Sequence, residues 1–112
     1  MNDNDVIRLR HMRDAIREAL SFLEGRSAED LSRDRMLFLA VVKEIEIIGE
    51  AAARISDDTR QALPAIPWPK IIGIRNRLIH AYADVDLSIV WSTVTSAMPQ
   101  LLRELENALG NH

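Results

Sequence analysis

Apolar residues recur every three or four positions through most of the chain, which is the spacing of helices with one buried side. At about 100° per residue, the first stripe between Asp5 and Glu24 forms a single arc. Its members are Leu9, Met12, Ile16, Ala19, Leu20 and Leu23. Charged residues such as Arg10 and Arg17 fall outside this arc. The pattern predicts a first helix that ends at Gly25.

A second helix is predicted from the region of Ser27 to about Ile55. Ser27 with Asp30 three residues later resembles a capping box, and Ser32 is an alternative cap. The apolar stripe consists of Leu37, Phe38, Val41, Val42, Ile45, Ile48, Ala52 and Ile55. Glu44 points into this arc, so we expect a buried carboxylate at that position.

A proline-rich connector leads from the second helix to the third. Residues 56–58, Ser-Asp-Asp, can start a short helical turn. Pro64, Pro67 and Pro69 then make residues 63–70 rigid. Proline suits the first helical position, so a third helix begins near Pro69 and extends to Tyr82.

The last helix runs from about Leu87 to Leu109, with Asp84 or Asp86 as its cap. Its stripe is Leu87, Val90, Trp91, Val94, Met98, Leu101, Leu102, Leu105 and Leu109. Pro99 interrupts this helix and should kink it. No segment alternates with period two. We therefore predict an all-α fold, an antiparallel four-helix bundle with a short extra helical turn, forming one domain over residues 1–112.

Composition narrows the class of protein further. The chain has no cysteine, which excludes disulfides and thiolate metal sites and suits a reducing cytoplasm. No apolar run reaches membrane-spanning length, and the first residues lack the features of a signal peptide, so we expect a cytoplasmic protein with no membrane association. The net charge of -3 reveals no overall basic surface. Arginine nevertheless dominates the basic residues, and its guanidinium suits bidentate contacts to carboxylate or phosphate.

The densest polar cluster among apolar residues is 75–82, Arg-Asn-Arg-Leu-Ile-His-Ala-Tyr. On a helical wheel, Arg75 and Tyr82 point almost the same way, into the middle of an apolar arc. The opposite side carries Gly73, Asn76, Arg77 and His80. An arginine within an apolar stripe needs an anion, because burying an unpaired charge is costly. That anion is either a structural partner, for which Glu44 is available, or a ligand.

The functional interpretation uses His80 and Arg75 together on RNA. A histidine near its ordinary pKa can accept a proton from a 2′-hydroxyl, and an arginine can stabilise charge developing on phosphate oxygens. The products would be a cyclic phosphate and a free 5′-hydroxyl, with neither metal nor cofactor required. Metal binding is a weaker alternative, since only Asp84 and Asp86 accompany His80, and both are better explained as helix caps.

The positions of these two residues on the helix raise a difficulty. Five residues apart, Arg75 and His80 diverge by about 140° on an ideal helix. A loosened helix end, a long reach by Arg75, or a symmetric dimer could bring them together. We favour the dimer, because the third helix is apolar over more of its circumference than one bundle contact needs.

At these residues the chain resembles a known family. Arg75-x4-His80-x-Tyr82 is similar to the Arg-x4-His-x-Tyr motif of HepT-type toxins in the HEPN superfamily. Residues 47–51, Ile-Ile-Gly-Glu-Ala, resemble that family's second-helix signature. The stretch from Trp68 to Tyr82, followed by Val85-Asp86 and Ile89-Val90-Trp91, resembles the family's stretch from its proline-rich connector into its final helix. The resemblance covers nearly the whole chain.

The resemblance implies more than the residues show. It implies a HEPN-like helical homodimer that is a metal-independent endoribonuclease toxin, with RNA as substrate and a minimal nucleotidyltransferase antitoxin as partner. Arg75 and His80 would be the catalytic pair, with Asn76 as polar companion. The antitoxin would neutralise the toxin by transferring AMP to Tyr82. The helix-two signature also points to Glu50.

Supporting roles and one alternative function stay open. Glu44, Glu50 and Arg77 are candidate supporting residues, with Glu44 preferred over Glu50 as the partner of Arg75. The alternative function is a non-enzymatic docking or substrate-binding subunit for a nucleotidyltransferase, in which the motif is an arginine–carboxylate contact at the interface. A purely structural dimer would leave Arg75 and His80 replaceable.

Overall fold

The computed structural model describes residues 1–80 and 87–110, with side chains for all of them except residues 78–80. Within these ranges the elements are helical: α1 (Asp3–Phe22), α2 (Ala28–Arg33), α3 (Arg35–Ala53), α4 (Asp57–Ala62), α5 (Trp68–His80), α6 (Leu87–Ser92) and α7 (Met98–Leu109). A π-helical turn, Thr93–Ala97, joins α6 to α7. The predicted all-α class and HEPN-like helical bundle are confirmed.

The first helix forms as its periodicity predicts. The side chain of Asn2 caps α1 by accepting a hydrogen bond from the backbone N–H of Asp5 at 2.7 Å. Five of the six stripe residues are buried, and Leu20 packs against the core from its edge. Gly25 follows the helix with a φ of 73°, a left-handed conformation that glycine adopts without strain.

The predicted second helix is divided in two at Asp34, which corrects the expectation of one continuous helix. Ser27 does begin α2, and its backbone N–H donates to the Asp30 carboxylate at 2.8 Å. Asp34 is extended, and its carboxylate accepts a hydrogen bond from Leu37 N–H at 3.1 Å. Ser32 lies inside α2 instead of capping α3. A short acidic side chain that bonds to the backbone competes with helix continuation, which explains the break.

The third helix, α3, lies at the centre of the packing. It packs against α1 on one side and α5 on another, while α7 packs against α1 and α2 covers parts of α3 and α6. All eight predicted stripe residues of this helix are buried. At the start of α5, Trp68 is buried and its indole N–H donates to the Leu63 carbonyl at 3.2 Å. This bond anchors the connector that sets the position of α5.

Pro99 is accommodated by a change of helix type just before it. Proline lacks an N–H and its ring clashes with the carbonyl four residues earlier. The chain forms the wider π-helical turn over Thr93–Ala97 and resumes as α7, with Pro99 in its first turn. Within the turn, the Thr93 and Thr95 hydroxyls each donate at 2.7 Å to the carbonyl four residues earlier. The last helix therefore continues past the proline through a widened turn, at the position where the sequence predicts a kink.

A buried carboxylate links α1 to α4. Asp5 is 1% exposed and accepts hydrogen bonds from the Ser56 backbone N–H at 3.1 Å, the Ser56 hydroxyl and the Thr59 hydroxyl at 2.6 Å. Burial raises the pKa of Asp5, but these hydrogen bonds outweigh burial and leave that pKa below its usual value. The bonds hold the short helix α4, the predicted extra helical turn, against the first turn of α1.

Some predicted features fall outside the described residues. These are the proposed caps Asp84 and Asp86, the motif residue Tyr82 and the side chain of His80. In the ranges that are described, no helix has both the length and the apolar character needed to cross a membrane.

Candidate functional site

The motif lies at the carboxyl end of α5. This helix spans Trp68–His80, so it begins one residue before the predicted Pro69. Arg75, Asn76 and Arg77 are all within it, and the backbone of His80 is its last described residue. Arg75 is half-buried, whereas Asn76 and Arg77 are exposed. The helix therefore places one arginine against the bundle and the two following polar side chains toward solvent.

Arg75 packs directly against a glycine of α3. A Cβ built on Gly49 would lie 2.7 Å from Arg75 Cγ and closer still to Arg75 Cβ. It would also lie 3.4 Å from the Ile71 carbonyl oxygen, one turn earlier on α5. Any larger residue at Gly49 would push α5 away, so this glycine sets how closely the motif helix approaches α3. Close packing at Gly49 explains why a glycine is tolerated inside a helix.

The guanidinium of Arg75 extends beyond this contact to its neighbour in sequence. Its Nη1 donates to Asn76 Oδ1 at 3.1 Å. In the described part of the chain, no carboxylate forms an ion pair with Arg75. The positive charge is thus oriented by a neutral amide and is not neutralised by the residues described.

Glu44 does not pair with Arg75, which corrects the predicted partnership. It is buried, as predicted, but it faces α1, where its carboxyl group interacts with that of Glu18. Burial, the negative charge of Glu18 and a hydrogen bond to Glu18 raise the pKa of Glu44 to about 7. The apolar arc of α3 covers both α1 and α5, so a residue inside the arc can face either neighbour. The helical wheel alone could not distinguish the two.

Glu50 also lies on the α1 side of α3. It is exposed, and its carboxylate is 3.6 Å from the Arg54 guanidinium, one turn later on the same helix. It borders a small depression between α1 and α3 together with Ile7, Arg8 and His11. Among the described residues, Glu50 therefore forms an ion pair with Arg54 and none with Arg75.

A larger cavity of about 740 Å³ lies on another side of α5, between this helix, α3 and the α6–α7 segment. Gly73 and Arg77 line it, as does Lys70, so it adjoins the polar motif. The sequence pattern did not predict this cavity. Its one sequence signal is Gly73, a glycine in the interior of a helix where a side chain would ordinarily stand.

The comparisons with known proteins agree on the family. Residues 12–108 match the family model described as "Ribonuclease HepT-like". The chain is 37% identical over 95 residues to "Probable ribonuclease HepT" of Thermococcus cleftensis, covering 81% of this chain and 86% of that protein. It is 33% identical over 89 residues to "Putative RNase MJ1380" of Methanocaldococcus jannaschii, covering 80% and 82%.

A further relative is "Putative RNase TTE0752" of Caldanaerobacter subterraneus, 36% identical over 87 residues, with 78% of each chain covered. No solved structure matches this chain. The family model spans most of the chain, and these relatives are covered over more than three quarters of their length. The chain therefore belongs to the HepT-like ribonuclease family of the HEPN superfamily.

Proposed function

We propose that this protein is a metal-independent endoribonuclease, the toxin of a toxin–antitoxin pair, which cleaves RNA with Arg75 and His80. The observation that carries the proposal is the state of Arg75. Its stem is packed against Gly49, its guanidinium is oriented by Asn76, and no described carboxylate neutralises it. An arginine held in this way is prepared for an external anion, and a phosphate matches its donor geometry.

The chemistry follows from the residue types on α5. His80 removes the proton from a ribose 2′-hydroxyl, and the resulting oxygen attacks the adjacent phosphorus. Arg75 stabilises the negative charge that develops on the phosphate oxygens. The bond to the 5′-oxygen breaks and a 2′,3′-cyclic phosphate is left. The 5′-oxygen takes up a proton from water, and His80 releases the proton it accepted to the solvent. Because the nucleophile belongs to the RNA, the step needs no activated water.

A homodimer is part of this proposal. Arg75 and His80 are five residues apart on one helix, and such positions diverge by about 140°. A two-fold axis beside α5 would place Arg75 of one copy near His80 of the other and complete the site. The close packing of Arg75 on Gly49 supports this arrangement, since it limits how far Arg75 can swing around its own helix.

Control by a nucleotidyltransferase antitoxin is the third part of the proposal. The Tyr82 hydroxyl would attack the α-phosphorus of ATP, forming a phosphodiester to AMP and releasing pyrophosphate. The new negative charge would lie two residues beyond His80 and compete with RNA for Arg75. The support for this is the motif spacing Arg75-x4-His80-x-Tyr82.

The test is cleavage of total tRNA and a short mRNA by purified protein in EDTA, with analysis of the product ends. We expect 2′,3′-cyclic phosphate ends from the wild type and none from Arg75→Ala or His80→Ala. Two exposed residues elsewhere supply matched controls, His11→Ala on α1 and Arg103→Ala on α7, and both should cleave normally. A folded His80→Ala protein with full activity would remove His80 from the mechanism. Absence of cleavage by a folded wild-type dimer would favour the docking-subunit alternative.

A further inference from the structure

The cavity beside the motif is an open groove, here called the α5–α7 groove, with an apolar floor. The floor consists of Ile45, Ile48, Ile71, Ile74, Met98 and Leu101. Four of these six are buried in the core, and the two from α5 are half-buried. The volume of about 740 Å³ lies within the usual range for small-molecule sites. The groove can therefore cover one face of a flat organic group with apolar side chains.

The α5 wall of the groove carries positive charge on either side of a gap. Lys70 and Arg77 both line the groove and are exposed. Seven residues apart, they are separated by about two helical turns, or roughly 10 Å along α5. Gly73 lies between them, and a Cβ built there would meet no atom within 4 Å. A polyanion lying along α5 would thus contact one cation at each end. Between the two cations, the absence of a side chain at Gly73 leaves the apolar floor accessible.

The opposite wall supplies hydrogen-bond acceptors. The π-helical turn contributes Thr93 and Ser96, and Glu104 of α7 also borders the groove. The Thr93 hydroxyl already donates its proton to the Ile89 carbonyl, which leaves its oxygen as an acceptor. Carboxylates readily accept hydrogen bonds from the exocyclic amino groups of bases. This wall suits a planar group that carries N–H donors and is unfavourable for a second anion.

We propose that the α5–α7 groove binds a nucleobase of single-stranded RNA beside the scissile phosphate, with Lys70 and Arg77 contacting the flanking phosphates. The combination of an apolar floor, acceptors on one wall and two cations on the other matches an unstacked nucleotide. The groove adjoins the motif through Arg77, which lines it. On the helical wheel Arg77 shares one side of α5 with Gly73, Asn76 and His80, opposite Arg75. This inference rests on the proposed ribonuclease function and specifies how that site holds its substrate.

Gly73 provides the variant for the test, because a Cβ there meets no atom within 4 Å and the flexible side chain of Gly73→Met would extend into the entrance. The probe is a fluorescent single-stranded oligoribonucleotide that is 2′-O-methylated throughout, so that it cannot be cleaved. We expect Gly73→Met to weaken its binding, measured by anisotropy, by about tenfold. Gly73→Ala should weaken it less. Ala62→Met, which adds the same side chain at an exposed position of α4, should bind as the wild type does.

A strand of abasic residues with the same number of phosphates separates base binding from charge. If a base occupies the groove, Gly73→Met and wild type should bind this strand equally. Lys70→Gln and Arg77→Gln should instead weaken the binding of both strands. Each substitution should lower the slope of log affinity against log salt concentration by about 0.7. If Gly73→Met weakened the binding of both strands equally, the groove would not bind a base and the inference would be wrong.

Two further outcomes separate this inference from the proposed function. If Gly73→Met binds the methylated strand as tightly as wild type and changes the sedimentation mass, the groove is an interface between copies and the inference fails. If binding depends on Gly73 but unmodified RNA is never cut, the groove assignment stands and the proposed cleavage fails.

Discussion

Gly49 on α3 and Arg75 on α5 are in direct contact, so the position of the motif arginine depends on a residue 26 positions earlier having no side chain. A Cβ at Gly49 would lie 2.7 Å from Arg75 Cγ, well inside normal contact distance. The contact joins residues 47–51, which resemble the helix-two signature of HepT-type proteins, to the Arg75-x4-His80-x-Tyr82 motif. It gives the glycine in that signature a physical function.

The first prediction concerns this contact. Gly49→Ala should overpack the α3–α5 interface, destabilise the protein by about 1–3 kcal/mol and displace Arg75. Because displacements of about 1 Å can cost up to 100-fold in rate, we expect RNA cleavage to fall by one to two orders of magnitude. Chemical denaturation and cleavage assays measure the two effects.

Gly73→Ala is the matched control for stability, since a Cβ at that position meets no atom within 4 Å. It should leave the free energy of unfolding unchanged or raise it by up to about 1 kcal/mol, because alanine is the better helix former. Equal destabilisation by both variants would show that the loss at Gly49 does not come from the contact with Arg75.

The second prediction concerns Tyr82, the single tyrosine of the chain. Tyr82→Phe should cleave RNA but resist the nucleotidyltransferase, because phenylalanine lacks the oxygen that would accept AMP. Incubation with the antitoxin and ATP, followed by intact-mass measurement and a cleavage assay, checks both parts. Addition of AMP to the Tyr82→Phe protein would show that another residue is modified.

The third prediction follows from the raised pKa of Glu44. The unfolded chain releases this proton near the usual pKa of 4.5, while the folded protein keeps it until about pH 7. The folded state therefore binds more protons between these values, so the free energy of unfolding falls as pH rises through this window. Glu44→Gln should remove this decrease and stabilise the protein at pH 8 by an amount on the order of 1 kcal/mol.

Thermal unfolding between pH 4 and pH 8 measures this effect. Glu24→Gln, at an exposed position after α1, is the control and should follow the wild-type curve. The raised pKa of Glu44 would be contradicted if the stability of the wild type rose from pH 5 to pH 8 and Glu44→Gln showed the same dependence on pH.

The fourth prediction concerns Asp5, whose pKa is lowered. Its charged form stabilises the fold at pH values above the usual 3.8, and this contribution is lost as the pH falls through the lowered pKa. Asp5→Ala leaves the buried donors of Ser56 and Thr59 without their acceptor and should cost about 1–3 kcal/mol at pH 7. The difference from wild type should shrink in strong acid. Asp14→Ala, at an exposed ion pair with Arg13, should cost much less.

Much of the fold could be predicted from periodicity. The predicted stripe of α3 and most of the stripes of α1 and the last helix are buried, and the capping contact of Ser27 with Asp30 is present. These features depend only on residues close together in the sequence. Apolar residues spaced three and four apart show which side of a helix will be buried, whichever helix covers that side. The break at Asp34 could not be predicted from periodicity, because the apolar pattern is consistent with one continuous helix. The break depends on the Asp34 side chain capping α3.

The candidate site was predictable only in part. The sequence alone determined that Arg75, Asn76, Arg77 and His80 share one helix, since that depends on spacing along the chain. Tertiary structure decided that Arg75 packs on Gly49, that Glu44 faces Glu18, and that a groove opens beside Gly73. A helical wheel gives the direction of a side chain about its own axis, but which helix lies in that direction depends on contacts between residues far apart in the chain.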